Sequence, residues 1–595
     1  MLPHLKKEKD FVFLWNGKAD KENHRSFLFL NPIKIISCYK HNDIKTCFCA
    51  IENALSEGFY VAGFLSYEAA AAFEDKFPKK NILNFPLLWF GVYNKPRIYE
   101  HETLCQDLNN INEVSIKRLR LSISKNLYLR DIAKIKNSIR GGNTYQVNYT
   151  FKYKFSFSGS PYEMFSALSK KQPTPYAALI GLNGKKILSF SPELFFKKEA
   201  HNIKVKPMKG TIGRGIDISD DIEKQKELKS SLKDKAENLM IVDMLRNDLG
   251  KISKTGTVKT RKLFEIEKHR TLYQMTSTIE SKLDKRNWYD IFKGIFPSGS
   301  VTGAPKIKTM QIINELEKSP RNIYTGSIGY ISPNNEAVFN IAIRTILLDE
   351  KTKTGELGIG SGVTIESDPE AEFNECKLKA DFFIKRYADF ALIETLLWQR
   401  GTFLLLTLHL KRLGESANYF NYKYSRAYVI KSLLKHTGSF TKNKNYRVRL
   451  LLNENGSVEI ISKPLKERRF GGMKIVFSRK PTNTSDVFLY HKTTNRKFYD
   501  DEYQRCKSKG FADVIFFNES KEVTEGAISN IIIKKGKNYY TPPIKCGLLN
   551  GTFRRNLLKT QTIPIKEKVL YKRDIKTADR IFICNSVMGL KEAKI

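Results

Sequence analysis

Lys209 sits in the stretch Val205-Lys206-Pro207-Met208-Lys209-Gly210-Thr211, between a Pro-stiffened approach and a Gly. A lysine amine attacks carbon only when unprotonated, a state favoured by partial burial or by a nearby cation such as Lys206. Glu193, in Ser191-Pro192-Glu193-Leu194-Phe195, is a carboxylate in an apolar turn. It could act as a general acid if desolvation raises its pKa; the plainer reading is a Glu at a strand end. Glu237 and Asp248 fall with Met240, Ile241, Met244 and Leu245 at i, i+3, i+4, i+7, i+8 and i+11, which sets two carboxylates on an apolar stripe. Buried carboxylates need a partner, and magnesium or an internal pair with Arg246 would serve. Glu372, Glu375 and Lys379 share another helical face, a spacing that also describes an ordinary solvated surface.

The last third holds a second constellation. Lys492, in His491-Lys492-Thr493-Thr494-Asn495-Arg496, is followed by Glu525 in Thr524-Glu525-Gly526-Ala527-Ile528-Ser529-Asn530 and by the Gly-bounded helix start Gly547-Leu548-Leu549-Asn550-Gly551-Thr552-Phe553-Arg554. An amine for an imine, an acid for a pyridinium nitrogen and free amides for a phosphate are what pyridoxal phosphate requires of a protein.

The elements that must position these groups can be read in order. Residues 1 to about 120 form a mixed α/β start with buried strands at Phe27–Leu30 and Leu87–Tyr93, and Cys47 and Cys49 read as strand residues. Asp131–Arg140 reads as a short helix closed by Gly141-Gly142. Thr144–Asn148, with Gln146, then leads to Phe151, Tyr153, Phe155 and Phe157, which alternate with Lys152, Lys154 and Ser156 as an antiparallel strand with one wet face. A long charged helix is expected from about Asp220 to Gly250. The Gly-rich stretch Phe296–Lys306 opens a helix through Glu317, and its amides could receive an anion. Tyr324-Thr325-Gly326 precedes a strand in which Arg344 shares an apolar face with Val338, Asn340, Ala342 and Ile346, so Arg344 needs a carboxylate from the protein or a ligand. Gly358-Ile359-Gly360-Ser361-Gly362 leads to a capping box at Ser367-Asp368-Pro369-Glu370, and to a helix whose buried stripe is Phe373, Cys376, Ala380 and Phe383. From Ala388 the chain begins again, with a strand at Leu392–Leu397, a turn at Arg400-Gly401 and a helix start at His409–Leu413. The motif shift sets a boundary near Arg386, giving domains 1–387 and 388–595.

Composition narrows the function. A chain of 595 residues with 41% hydrophobic and 12% aromatic residues can bury a sizeable core and allows two to four domains. No run approaches the roughly 18 apolar residues of a membrane helix. The N-terminal MLPHLKKEKDFVFLW lacks an apolar run followed by a small-residue cleavage site, so a cytoplasmic protein with no membrane partner is expected. Eight cysteines without a C-x-x-C pair describe neither a disulfide framework nor a structural zinc site. The net charge of +40 is spread along the chain without a reader motif for nucleic acid, and an anionic small substrate accounts for it equally well.

The ordered motifs TYQVN, SPELF, KPMKGT, AENLMIVDMLRNDLG, FPSGSVTGAPK and IGSGVTIESDPEAEFNE resemble those of the chorismate-utilising enzymes, most closely the synthase components that aminate chorismate. The resemblance implies a large α/β (α+β) fold with antiparallel sheets. It implies magnesium held by Glu237 and Glu375 with Glu372 nearby, and the enolpyruvyl carboxylate of chorismate held at Tyr324, Arg344, Gly360 and Gly362. Gln146 stands where members that add water have Lys, which sets aside isochorismate and salicylate synthesis. Lys209 stands where anthranilate synthases usually have Ala; the resemblance makes it the nucleophile and Glu193 the acid. Gln274 departs from a His found in many members.

Residues 388–595 resemble the fold-type IV pyridoxal enzymes, whose domain is branched-chain-aminotransferase-like. By that likeness Lys492 carries the cofactor, Glu525 pairs with its ring nitrogen, and Arg412 with the amides of Thr552 and Phe553 holds its phosphate. Met588 stands where an Arg often precedes the Gly of an NS-x-x-G motif. The fusion of the two implies amination of chorismate to 4-amino-4-deoxychorismate, then elimination of pyruvate to give 4-aminobenzoate for folate synthesis. No Cys lies in a G-x-C-x-G setting, so ammonia is expected from a separate glutamine amidotransferase, and a dimer through the second domain is an open expectation. The competing readings are an anthranilate-type synthase joined to a transaminase-like domain, and a basic nucleic-acid-binding scaffold on inactive enzyme folds.

Overall fold

The computed structural model describes residues 5, 8–18, 25–77, 84–100, 114–269, 272–384, 390–441, 443–465 and 473–595. The expected boundary near Arg386 lies outside the described residues. The chain forms two compact units. One comprises Met1–Ile212, Glu227–His269 and Tyr273–Tyr387; the other comprises Gly213–Lys226, Arg270–Leu272 and Ala388–Ile595.

The first unit is a sandwich of two ten-stranded sheets. Val12, Phe29, Ala178 and Ile180 from one sheet meet Phe64, Trp89, Tyr93 and Ile328 from the other to form the layer between them. Helices cover both outer faces. Helix Lys125–Arg140 and helix Pro369–Leu378 bury Ile132, Ile135, Phe373 and Cys376 against the first sheet. Helices Ile44–Ser56, Leu232–Gly250 and Trp288–Ile295 bury Phe48, Ile51, Ile241, Leu245 and Phe292 against the second. In the first sheet, strand Gln146–Ser158 pairs antiparallel with Thr354–Val363, with Gly360 opposite Thr150 and Gly362 opposite Asn148. In the second, strand Met208–Gly213, which bears Lys209, lies at an edge beside Leu272–Lys282.

Several local expectations change. Cys47 and Cys49 lie in helix Ile44–Ser56, where Ile44, Cys47, Phe48 and Ile51 repeat with helical spacing and are buried. The helix expected from Asp131 begins at Lys125, because the Ser124 hydroxyl accepts the Leu127 N–H at 3.2 Å. The long helix from Asp220 is two, Ile218–Ser230 and Leu232–Gly250. Ser231 breaks it by accepting the Asp234 N–H at 3.2 Å as the cap of the second. The wet face of strand Gln146–Ser158 is incomplete, since Lys152 is buried and paired with Glu356 at 2.6 Å. Arg344 lies between strands Ala337–Ile341 and Thr345–Asp349 rather than within one, in the left-handed region at φ 50°. Asp368, not Ser367, caps helix Pro369–Leu378, accepting the Ala371 N–H at 2.7 Å.

The second unit has a four-stranded antiparallel sheet, Thr402–Phe403, Leu392–Gln399, Tyr446–Leu452 and Val458–Pro464 in spatial order. Helix Leu406–Phe420 packs Leu410, Leu413 and Ala417 onto it. An eight-stranded sheet follows, with parallel pairings among antiparallel ones. Among the described residues no helix is long and apolar enough to cross a membrane.

Candidate active sites

In the first unit, Lys209, Gln146 and Glu193 converge. A Cβ placed on Gly362 would stand 2.2 Å from the Gln146 Nε2 and 3.1 Å from the Lys209 Nζ, so both side chains close on that glycine. Gly210, at φ 84°, turns the chain directly after Lys209 in a conformation that side chains disfavour. Burial lowers the pKa of the Lys209 amine; Glu237 opposes this, Lys379 adds to it, and Glu193 and Glu375 oppose it further. Burial pushes the Glu193 carboxyl up to about 7, against the pull of the Ser300 hydroxyl and of Lys209. Its Oε1 is buried without a hydrogen-bond partner, and so are both amide atoms of Gln146. Buried polar groups are almost always paired, so three orphaned atoms around one amine mark a place built for a polar ligand.

The other expected residues are distributed as follows. The Tyr324 ring covers Gly358, with its Cγ 2.1 Å from where a Cβ would be. Arg344 has a buried Nη1 without a partner, and burial pulls its pKa down to about 10. The Gly360 carbonyl accepts from the Lys379 Nζ at 3.0 Å. Lys379 also pairs with Glu375 at 2.7 Å, and this pairing, more than burial, sets the lowered pKa of the Glu375 carboxyl. Glu372 accepts the Ser367 hydroxyl at 2.8 Å. Burial raises the Glu237 carboxyl, with Lys209 opposing.

Asp248, expected on the stripe with Glu237, is buried against Lys306 and Lys251, while Arg246 pairs with the exposed Asp243 instead. Glu237 and Glu375 both act on Lys209, and Glu372 acts on Glu237. Yet among the described residues no three His, Cys, Asp or Glu side chains stand together as a ready cage. Oxygen donors suit magnesium, which keeps several waters, but Glu375 is occupied by Lys379 here. A small cavity of about 30 Å³ beside Tyr67, Glu68, Glu317 and Arg321 contains none of these groups.

Two participants were not singled out in the sequence. The Ser300 hydroxyl bonds Glu193, and His269, buried beside Arg344, is held by burial and by that charge well below the imidazole range. Ser300 lies within the FPSGSVTGAPK motif, but each of the two meets its partner only through the tertiary fold. The Ser300 loop does not present its polar groups outward. The Ser298 oxygen lies 3.1 Å from that of Ser300, and the Thr302 hydroxyl donates to the Ser298 carbonyl at 3.0 Å.

In the second unit Lys492 is half-buried, and burial, Arg496 and Arg412 bring its amine down to about 7 against Glu394 and Glu525. Glu525 is raised by burial to about 8 and accepts the Tyr499 hydroxyl at 3.3 Å and the Asn530 amide at 3.4 Å. Helix Thr552–Thr560 starts after Gly551 with no side-chain cap on its first amides. The Thr552 hydroxyl lies 3.3 Å from the His409 Nε2, and Phe553 follows on the same turn. Arg412 gives its Nε and Nη2 to Glu394 at 2.9 and 2.6 Å, leaving Nη1 near the Asn550 carbonyl at 3.5 Å. His409 completes the group, its Nδ1 2.6 Å from Glu394. Glu394, to which the sequence reading gave no role beyond its strand, is the buried carboxylate that both Arg412 and His409 contact. Burial pushes it up, but Arg412 and His409 outweigh that and hold it at about 2. A neutral-capable lysine, a buried acid and an uncapped helix start suit pyridoxal phosphate. Met588 lies in a turn whose amide donates to the Asn585 side chain at 2.9 Å.

A two-sheet sandwich carrying this lysine–glutamate pair, and a second unit with its own half-buried lysine beside a buried acid, give the chain two candidate sites. Its family follows from comparison with known proteins: residues 10–385 match the chorismate binding enzyme model, and the chain belongs to that family. Residues 391–594 match the model of amino-transferase class IV. Members of the first family typically use magnesium, and those of the second use pyridoxal phosphate. The chain is 41% identical over 276 residues to a probable chloroplastic aminodeoxychorismate synthase of Oryza sativa subsp. japonica, covering 45% of this chain and 30% of that protein. Thus the chain spans under a third of the rice protein's length. It is 32% identical over 370 residues to aminodeoxychorismate synthase component 1 of Bacillus subtilis, covering 56% of this chain and 77% of that one. It is also 34% identical over 332 residues to anthranilate synthase component 1 of Saccharolobus solfataricus, covering 53% and 78%.

Proposed function

We propose that the chain makes 4-aminobenzoate in two steps, with 1–387 supplying the chorismate chemistry and 388–595 the pyridoxal chemistry. The observation that carries the first step is the Lys209 amine beside Glu193 and the orphaned Gln146 amide at Gly362. The neutral Lys209 Nζ attacks the chorismate ring and forms a C–N bond as the ring C–O bond breaks. Glu193 gives its proton to the departing hydroxyl, which leaves as water. Ammonia then forms its own C–N bond and expels the Lys209 amine, leaving 4-amino-4-deoxychorismate. Tyr324, Arg344, Gly360 and Gly362 hold the enolpyruvyl carboxylate, and Glu237, Glu375 and Glu372 would hold magnesium at the ring carboxylate.

In the second step, bound pyridoxal phosphate supplies an electron sink. Lys492, whose amine burial brings down to about 7, would hold the cofactor, and the same amine would move the ring proton as pyruvate leaves. Glu525 would pair with the cofactor ring nitrogen, and Arg412 with the amides of Thr552 and Phe553 would hold the phosphate. A cytoplasmic location, ammonia from a separate glutamine amidotransferase, and a dimer through the second unit belong to the same reading. Lys209 and the fusion favour this over an anthranilate-type synthase joined to a transaminase.

The test is direct: the purified chain, given chorismate, ammonium, magnesium and pyridoxal phosphate, is expected to release 4-aminobenzoate. Release of anthranilate, or a shift of duplex DNA without chorismate turnover, would replace the assignment.

A further inference from the structure

Residues Gly213–Lys226 follow the Lys209 strand in sequence but fold into the second unit. The segment is braced on itself. The Arg214 Nε and Nη2 each donate to Asp221 at 2.6 Å, Gly215 N–H donates to Asp221 at 3.1 Å and Ile216 N–H to Asp220 at 2.7 Å. Gly215 allows the closure, because a Cβ there would lie 2.1 Å from the Asp221 nitrogen. Both side chains of the ion pair are almost fully buried, at 3% and 5% exposure. A buried pair of that kind is expensive to desolvate and needs further partners.

Those partners lead to Lys492. The Arg214 guanidinium lies over the Tyr419 ring at 4.4 Å, and the Tyr419 hydroxyl donates to the Gly215 carbonyl at 2.7 Å. The same ring lies 4.4 Å, centroid to centroid, from the His491 ring at a tilt of 38°, and the His491 Nδ1 lies 2.9 Å from the Ser416 oxygen. Burial, and then Arg214, keep His491 neutral, at about 3. Lys492 is the next residue, and its carbonyl accepts the Ile393 N–H at 2.8 Å, while Thr494 N–H donates to Ala391.

We propose that Arg214 is a positioning residue for Lys492: locked by Asp221 and laid on Tyr419, it fixes the His491 ring and with it the backbone that presents the Lys492 amine. The segment Gly213–Lys226 is thus a working part of the pyridoxal unit. The inference rests on the pyridoxal reading for its consequence, but its geometry can be tested without cofactor.

The experiment uses full-length protein carrying Arg214→Met, Arg214→Lys or Asp221→Asn. In cofactor-free protein, exchange of the Ile393 and Thr494 amides should quicken at least tenfold in Arg214→Met relative to parent, with the amides of Tyr446–Leu452 unchanged. Pyridoxal phosphate, titrated by its visible absorbance, should bind about tenfold more weakly to Arg214→Met and to Asp221→Asn. Arg214→Lys, which keeps the cation on Tyr419 but loses the fork, should recover part of both effects. Parent-like exchange and cofactor affinity in Arg214→Met would overturn the proposal. So would uniform acceleration that includes Tyr446–Leu452, which would make Arg214 a residue of general stability. A parent chain that takes up no pyridoxal phosphate would sink the cofactor reading instead, with the exchange result still deciding the role of Arg214.

Discussion

Glu193 and Lys209 would attract each other if both were ionised, yet burial works against both charges. The Glu193 carboxyl, at about 7 when folded, holds a proton that the unfolded chain releases in the ordinary carboxyl range. Stability should therefore fall as pH rises from that range through about 7. Glu193→Gln mimics the protonated form and should remove this slope. It is expected to be more stable than the parent at pH 8, by an amount on the order of 3 kcal/mol and so with a higher melting temperature, the gap closing near pH 4. Parallel melting curves against pH would show that Glu193 is not desolvated as described, and the variant should in any case lose chorismate amination. Glu394 behaves oppositely, since a carboxyl held at about 2 contributes stability that is present above its unfolded value and lost as pH falls through 2. Glu394→Gln frees Arg412 and His409 together. Its expected result is a tenfold or greater loss of pyridoxal phosphate affinity at pH 7, measured by absorbance titration; unchanged affinity would detach this triad from the phosphate site.

At the scale of elements, two placements govern the first centre. Strand Thr354–Val363 brings Gly362 against Lys209 and Gln146, and Gly362→Ala would press a methyl onto both side-chain ends rather than onto backbone. The fold should survive, while kcat/KM for chorismate should drop at least tenfold; a parent-like value would mean that the two ends can move aside. Helix Leu232–Gly250 starts at Ser231, so Ser231→Ala should lower stability by about 1 kcal/mol, seen as a lower melting temperature. Such elements were unevenly legible in the sequence. The alternation Phe151 to Phe157 marks its strand because every second residue meets one core. The helix at Cys47 and the break at Ser231 were misread, since short apolar runs suit either period and a serine in a charged run signals a cap only once its amide partner is known. The break at Arg344 had no local cue, because a left-handed arginine is maintained by what surrounds it. The lysines and acids were found through the motifs around them. Glu394, Ser300 and His269 were missed because their roles come from partners distant in sequence.

For the whole molecule, two centres with different lysines predict two different blocks. Lys209→Ala should stop at chorismate and still convert supplied 4-amino-4-deoxychorismate to 4-aminobenzoate, because Lys492 and Glu525 are untouched. Lys492→Ala should consume chorismate with ammonium and accumulate 4-amino-4-deoxychorismate, which an added lyase then converts. A Lys492→Ala chain that makes 4-aminobenzoate at the parent rate would remove the lyase role from the second unit. The placement of Gly213–Lys226 also imposes an order in time. Gly215 and its partner Tyr419 are 204 residues apart, so on a ribosome adding about 5–20 residues each second the segment leaves the exit roughly 10–40 s before the ring that covers it. During that interval Arg214 and Asp221 lack the aromatic ring that later caps their ion pair, so the nascent chain carries a charged pair whose cover has yet to be made.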